Sequence, residues 1–136
     1  MDLAEAVAFA RTNHHSVLAT TKRDGTIQQS PIVHGVDADG RIMISTREPA
    51  MKVANVRRNP AVSLCVLNDK FFGGWGQIWG TTEVVPLPDA MPLLEDVYRQ
   101  VAGEHNDWDE FRQSMVDQRR VVLRITPTAG GPTKSG

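Results

Sequence analysis

The feature that most constrains this fold is a pair of tight turns that separate three strand-like segments near the N-terminus. Residues 16–21, 26–36 and 41–46 are rich in apolar residues and are typical of β-strands. The turn at residues 24–25 is Asp-Gly, and the turn at residues 37–40 also ends in glycine. Glycine tolerates positive φ, so both turns favour hairpins. Consecutive hairpins predict an antiparallel sheet.

Three further segments extend the predicted sheet. Apolar residues alternate with polar ones in residues 61–67, and residues 75–85 form a longer run that contains Gly80. A glycine in mid-strand indicates a β-bulge or the close approach of another group. Residues 120–126 form the last predicted strand. Six antiparallel strands in so short a chain tend to curl and close, which predicts an α+β fold with a six-stranded barrel and peripheral helices.

Helical spacing of apolar residues places helices around this sheet. The spacing predicts a first helix over residues 2–12, with Asp2 as its N-cap. A helix over residues 89–102 would end at Gly103, a residue typical of helix C-caps. A further helix is indicated by Trp108, Phe111 and Met115.

The domain organisation follows from length and from the composition of the C-terminus. The chain has 136 residues, enough for one domain with a core. We predict a single split-barrel domain over residues 1–127. Residues 128–136 are rich in Gly, Pro, Thr and Ser, which predicts a flexible C-terminal tail.

Charge, hydropathy and cysteine content narrow the functional classes. A net charge of −1 gives no basic field of the kind that binds nucleic acid, and no apolar run is long enough to span a membrane. The acidic N-terminus lacks the pattern of a signal peptide, and Cys65 has no second cysteine to pair with. His14 and His15 have no further ligands at metal-binding spacing. We therefore expect a cytoplasmic protein without a metal, a membrane or a nucleic-acid partner.

The segment after the third strand carries the clearest candidate for anion binding. Pro49 can begin a helix and Pro60 lies just past its end. Lys52 and Asn55 are three residues apart, so they share a helical face near a helix N-terminus, where free N–H groups favour anions. The pattern fits a phosphate cradle. It also fits an ordinary amphipathic surface helix with solvated charges.

Several of these segments resemble the pyridoxamine 5′-phosphate oxidase-like split β-barrel family of flavin and deazaflavin oxidoreductases. Residues 17–21, 24–25 and 29–32 are similar to the opening hairpin of that family. Residues 52–62 are similar to its helix after the third strand, with the pattern K-x-x-N-x-x-R-[ND]-P. Residues 80–84 are similar to its Gly-Thr strand.

A more particular resemblance lies nearer the C-terminus. Residues 98–109, together with residues 119–121, resemble the actinobacterial branch of the family that uses the deazaflavin coenzyme F420 in place of FMN. The resemblance implies a homodimer with two cofactors in grooves between the subunits. The cofactor-binding candidates that it implies are Gln29, Ser30, Pro31, Ile32, Arg47, Lys52, Asn55, Arg58 and Trp79.

The resemblance also implies how these candidates divide between parts of the cofactor. Residues 29–32 would lie along the tricyclic ring. Lys52 and Asn55 would hold the phosphate or the first part of the tail, and Arg47 and Arg58 are candidates for the acidic polyglutamyl tail. The resemblance thus concentrates the predicted site on β-strands two and three and on the helix that follows them.

Trp79 and two departures from the family pattern complete the prediction. Trp75 and Trp79 face the same side of one strand, where they could form a barrel-core or dimer-interface pair or a wall for a flat ring. Trp79 would shape the substrate side of the groove. Ala50 stands where relatives carry another basic residue, and residues 129–132 replace an aromatic-Gly ending.

The function that this resemblance implies is an F420H₂-dependent reductase. It would transfer a hydride from C5 of the deazaflavin to an unsaturated acceptor such as an enone, a quinone or a tetrapyrrole. No general acid is evident, so solvent would supply the proton and the catalytic residues stay unassigned. One alternative is an FMN-binding flavin reductase or an enzyme of the pyridoxamine phosphate oxidase type. Another is a non-catalytic module that binds the cofactor, haem or another tetrapyrrole.

Overall fold

The computed structural model describes residues 1–132 as a closed antiparallel barrel with four helices. The strands are β1 (His15–Thr21), β2 (Ile27–Val36), β3 (Ile42–Arg47), β4 (Ala61–Leu67), β5 (Trp75–Val85) and β6 (Arg120–Gly131). The helices are α1 (Leu3–Thr12), α2 (Met51–Arg58), α3 (Ala90–Ala102) and α4 (Trp108–Asp117).

The strand order in the barrel is β1-β2-β3-β6-β5-β4, and β4 closes the ring on β1. All neighbouring strands are antiparallel, so the predicted α+β barrel is confirmed. Strand β2 pairs with β1 through Val33 and then with β3 from His34 onward. This change of partner opens the barrel wall on one side.

The two N-terminal hairpins have the turn chemistry that the sequence indicates. Gly25 and Gly40 have φ values of +85° and +82°. Only glycine adopts such angles without strain, which explains its position in each turn. The first three strands are therefore fixed by local sequence.

The predicted irregularity at Gly80 is confirmed. The register between β5 and β6 shifts between Trp79 and Gly80. A Cβ at position 80 would lie 2.6 Å from the Thr126 carbonyl oxygen and 2.6 Å from Cγ2 of Ile125. The bulge therefore brings the two backbones too close for any side chain at this position.

The C-terminal boundary differs from the prediction. Strand β6 continues to Gly131, five residues past the expected end at Thr126, because residues 127–131 pair with residues 77–80 of β5. The predicted flexible tail is therefore wrong for residues 128–131. Residues 133–136 lie outside the described part of the chain.

Helix α2 begins two residues later than its proline suggests. Its first residue is Met51, and the N-cap is Ala50, whose side chain makes no capping hydrogen bond. Pro49 thus precedes the cap instead of forming the first turn. The C-terminal end agrees with the prediction, because Asn59 caps the helix immediately before Pro60.

Two apolar clusters hold the molecule together. The larger one fills the barrel and includes Ala6 and Ala10 of α1, which covers one end. The smaller one lies outside the barrel, where Leu94 and Phe111 of α3 and α4 pack on Met43 of β3. The second cluster attaches the helical pair to the wall next to the opening. None of the helices formed by residues 1–132 has both the length and the apolar character needed to cross a bilayer.

His34 is the buried titratable group of the barrel interior. It is fully buried, its Nδ1 lies 2.7 Å from the Ser16 hydroxyl, and its Nε2 lies 3.0 Å from the Ala10 carbonyl. Because a carbonyl only accepts, Nε2 carries the proton and Nδ1 accepts from Ser16. Burial lowers the pKa of His34 to about 4. The neutral ring therefore links α1 to β1 and β2.

Candidate functional site

A cleft of about 840 Å³ lies where β2 changes partner. Strands β1, β2, β3, β4 and β6 contribute residues to it, and so do helices α2, α3 and α4. A cleft of this volume is in the range that holds a cofactor-sized ligand. Its surface is predominantly apolar.

One side of the cleft is formed by the apolar faces of α3 and α4, here called the helical wall. Leu94, Val97 and Phe111 are buried in the smaller core cluster and also line the cleft. Val101 and Met115 extend the same surface. These side chains therefore hold the helices in place and also offer a flat apolar surface to a ligand.

An aromatic cluster fixes the helical wall. The ring of Tyr98, which lines the cleft, lies 5.0 Å from His105, 5.8 Å from Trp108 and 5.2 Å from Phe111, measured between ring centroids. The Arg99 guanidinium lies 4.3 Å from the centre of the Trp108 ring. Edge-to-face and cation–π contacts of this kind join the two helices without a long connecting loop.

Three cations also line the cleft and are here called the cationic edge: Arg47, Lys52 and Arg120. Arg47 ends β3 and Arg120 begins β6, and the two are register partners. Directly opposed residues have Cβ atoms about 4.5–5.5 Å apart, so the two guanidinium groups are neighbours. Lys52 joins them from the first turn of α2.

No carboxylate compensates the cationic edge within residues 1–132. None of the ion pairs formed there involves any of the three residues. Glu48, next to Arg47 in sequence, is bound by Arg57 instead. Burial lowers the pKa of Lys52 and so, to a lesser degree, does nearby Arg120. Burial and Arg47 lower the pKa of Arg120. Such a group of charges favours an anionic ligand.

Four of the predicted site residues line this cleft: Pro31, Ile32, Arg47 and Lys52. The structure thus brings two of the β2 residues predicted to contact the ring, and the two cations of β3 and α2, into one space. The other five predicted residues do not line it: Gln29, Ser30, Asn55, Arg58 and Trp79.

Asn55 faces the barrel instead of the cleft. Its side chain is buried, and its Nδ2 donates to the Thr20 hydroxyl at 3.1 Å and to the side-chain Oε1 of Gln28 at 2.9 Å. Val53 and Val56 of the same helix are also buried. The expected sharing of one anion site by Lys52 and Asn55 is therefore not what the structure shows.

Arg58 and Trp79 lie on other surfaces. Arg58 is exposed, and its guanidinium donates to the Thr21 carbonyl at 3.3 Å, at the end of β1 away from the cleft. Trp79 lies on the outer face of β5, opposite Ser63 of β4. Gln29 is in the same row of register partners, with Ala19 between it and Ser63. The outer face of the sheet, and not the cleft, brings Gln29 and Trp79 into one row.

Sequence reasoning missed Arg120 and the helical wall. Residues 119–121 contributed to the family resemblance without any assigned role. The available signal was a charged residue at the start of a predicted strand. It becomes informative only when β6 is known to pair with β3, which places Arg120 opposite Arg47.

The sequence model of the pyridoxamine 5′-phosphate oxidase family matches residues 3–134. The chain belongs to this family. Pyridoxamine 5′-phosphate oxidase relatives are oxidoreductase-like and bind cofactors of the flavin type. The predicted family is therefore confirmed. The apolar cleft with its cationic edge is the candidate site for such a cofactor.

Solved structures of the pyridoxamine 5′-phosphate oxidase fold are similar over nearly the whole chain. The conserved hypothetical protein Rv2991 from Mycobacterium tuberculosis has a TM-score of 0.78 and 24% identity, covering 100% of this chain and 92% of its own. An F420 reductase has a TM-score of 0.69 and 22% identity, with coverages of 91% and 94%. A putative pyridoxamine 5′-phosphate oxidase from Listeria innocua has a TM-score of 0.69 and 16% identity, with coverages of 97% and 98%. At these identities the likeness concerns the fold.

Proposed function

We propose that this member of the pyridoxamine 5′-phosphate oxidase family is an F420H₂-dependent reductase that acts on unsaturated small molecules. The observation that carries the proposal is the cleft, which combines an apolar wall with three uncompensated cations. A deazaflavin cofactor has both parts, because a flat ring is joined to a phosphate and an acidic tail. The similar fold of an F420 reductase is consistent with this proposal.

Different residues of the cleft would bind the ring and the anionic groups of such a cofactor. Pro31 and Ile32 of β2, which line the cleft together with the helical wall, would contact the flat ring. Lys52 and Arg47 would bind the phosphate and the acidic groups, since ionic hydrogen bonds are about twice as strong as neutral ones. The reduced cofactor, when bound, supplies a hydride at C5, and the protein contributes orientation and the exclusion of water.

The protein's own contribution to catalysis is therefore positional. The aromatic cluster around Tyr98 and Trp108 holds the helical wall rigidly against the opening. A rigid wall keeps donor and acceptor carbons close to the separation of about 3–3.5 Å that direct transfer requires. We expect enones, quinones or tetrapyrroles as acceptors, because each offers an electron-poor double bond.

We further propose that the protein is a homodimer. The outer face of β2, β1, β4 and β5 exposes apolar side chains that a monomer would leave in water. They are Ile27, Val33, Trp75 and Trp79. Gln29, in the same face, would then lie at the subunit boundary, which agrees with a cofactor held near two subunits.

The dimer proposal is tested by the mass of the protein in solution. Light scattering of the wild type should give twice the chain mass, and Trp79→Asp should give a monomer. Val116→Asp is the matched control, because Val116 is an exposed apolar residue of α4 outside this face. A monomeric wild type would contradict the proposal.

Cofactor choice is tested by equilibrium binding of F420 and of FMN in separate experiments. We expect micromolar or tighter binding of F420 and no retention of FMN during purification. A yellow protein that keeps FMN would overturn the F420 proposal and favour the alternative FMN enzyme.

Turnover separates an enzyme from a binding module. Oxidation of F420H₂ should be followed with an enone, a quinone and a tetrapyrrole in turn. Accelerated oxidation with any one of them supports the reductase and names its acceptor class. Tight F420 binding without turnover on all three classes would favour a non-catalytic module.

A further inference from the structure

We infer that Arg120 is a ligand-binding residue and that, with Arg47, it forms a second anion-binding position next to that of Lys52. The inference rests on the proposed function, and it specifies the class of ligand: a molecule with two separate anionic groups, of which at least one is a phosphate. F420 has a phosphodiester and tail carboxylates, whereas FMN has a single phosphate.

The ends of β3 and β6 place two arginines side by side. Arg47 and Arg120 are the outermost paired residues of β3 and β6, and both line the cleft. Like charges directly opposite each other on a sheet are destabilising. An anion bound between the two guanidinium groups would relieve this repulsion.

The guanidinium of Arg120 is only partly engaged by the protein's own hydrogen-bond acceptors. Its Nε donates to the Gln118 side chain at 2.9 Å, which orients the guanidinium. Neither of its terminal nitrogens donates to a protein acceptor within residues 1–132. An arginine that is oriented at one nitrogen and free at the other two presents a fork that matches a phosphate or carboxylate.

Several other arginines of the chain differ from Arg47 and Arg120 because each forms an ion pair. Arg41, Arg57, Arg112 and Arg124 each bind a carboxylate. Acids are therefore available to arginines elsewhere on this surface, while the cationic edge has none. Exposed cations such as Arg23 also lack a carboxylate in the described part of the chain, but Lys52 and Arg120 are partly buried. The three charges of the cationic edge together exceed what one singly charged group would neutralise.

The inference is tested with inorganic phosphate and pyrophosphate on the ligand-free protein, measured by calorimetry. Pyrophosphate, which has two linked anionic groups, should bind at least about tenfold more tightly than phosphate. In Arg120→Gln this advantage should disappear, while Arg120→Lys should restore part of it. Arg23→Gln is the matched control, because Arg23 is an exposed arginine in the β1–β2 turn, beyond the end of β1 that is remote from the cleft.

A second readout separates binding from a structural role. Because Arg120 opposes like charges, Arg120→Gln should raise the melting temperature of the ligand-free protein by about 1–2 °C. A purely structural arginine would lower it. Equal affinities for phosphate and pyrophosphate in the wild type, or an unchanged advantage in Arg120→Gln, would overturn the inference.

The test also distinguishes this inference from the proposed function. If neither F420 nor FMN binds but pyrophosphate binding depends on Arg120, the anion position stands and the cofactor assignment falls. If F420 binds and turns over equally well in Arg120→Gln, the reductase stands and the second position falls. If F420 affinity drops at least about tenfold in Arg120→Gln, both stand.

Discussion

Buried polar groups of the barrel interior differ from those of the cleft in how they are paired. His34 and Asn55 have protein partners for their donors within 3.1 Å. Lys52 and Arg120 are partly buried, yet each has another cation as its electrostatic neighbour. Paired groups stabilise the fold, whereas like charges that lack a partner weaken it until an anion arrives. The difference separates the polar residues that serve structure from those for which we propose a role in binding.

The largest expected effect is the loss of folding stability at acidic pH that protonation of His34 causes. The unfolded chain binds a proton near pH 6.5, whereas the folded protein does so only near a pKa of about 4. Stability is therefore complete above pH 6.5 and falls as the pH drops towards 4, by about 3 kcal/mol in all. Urea unfolding at pH 7.5, 6, 5 and 4 measures this fall.

The control for this experiment is His34→Gln, which keeps a donor and an acceptor but does not titrate. The difference in stability between wild type and variant should shrink as the pH is lowered. Carboxylates contribute equally to both proteins and cancel in that difference. A difference independent of pH would show that His34 is not the group responsible.

The next largest effect is the loss of cofactor affinity when Lys52 is replaced. Lys52→Gln should weaken the binding of a phosphate-bearing cofactor by about 1.5–3 kcal/mol, because it removes an ionic hydrogen bond. Its unfolding free energy should not decrease, since no protein acceptor is lost. Lys70→Gln, in the exposed loop between β4 and β5, is the matched control. Unchanged cofactor affinity would remove Lys52 from the site.

Asn55→Ala should lower stability and largely preserve cofactor affinity, which is the reverse of the effect expected for Lys52→Gln. Loss of the bonds to Thr20 and Gln28 should lower the unfolding free energy by about 1–2 kcal/mol. Cofactor affinity should stay within about twofold, because the side chain does not line the cleft. A stable variant with lost affinity would return Asn55 to the anion site.

The smallest effect appears at alkaline pH. The pKa of Lys52 is lowered in the folded protein, chiefly by burial. Between that lowered pKa and 10.5 the unfolded chain holds the proton longer, so stability rises with pH through this window. The melting temperature of the ligand-free wild type should therefore rise relative to Lys52→Gln as pH approaches 10.5. A falling difference would contradict the direction of the shift.

The predictions that succeeded were those fixed by neighbouring residues. Hairpin turns at Gly25 and Gly40, the bulge at Gly80 and the cap at Gly103 are local matters of backbone conformation. Each follows from the absence of a side chain at one position. The antiparallel barrel then follows from the hairpins and the number of strands.

The site was predictable only in part because it depends on contacts between distant segments. Lys52 and Asn55 do share one side of α2, but that side straddles the boundary between the cleft and the barrel. Helical spacing alone cannot show which residue of α2 faces the cleft and which faces the barrel. Similarly, Arg120 is informative only through its pairing with Arg47, which lies more than seventy residues earlier in the chain.

The end of β6 was missed for a different reason. Residues 127–131 contain proline, threonine, alanine and two glycines, a composition that is typical of a loop. They form a strand because β5 supplies a partner backbone along residues 77–80. Tertiary pairing here overrides weak local preference.

That strand end also ties the two termini of the described chain together. A Cβ at Gly130 would lie 2.8 Å from the Asp2 carbonyl oxygen and 2.9 Å from Cα of Leu3, so the start of α1 rests directly on the β6 backbone. The Met1 amino group also donates to the Pro132 carbonyl. Segments in such contact open together, so amide protons of α1 and of residues 127–131 should exchange with solvent as one unit. The first helix and the last strand, farthest apart in the chain, are thus a single element of the protein's dynamics.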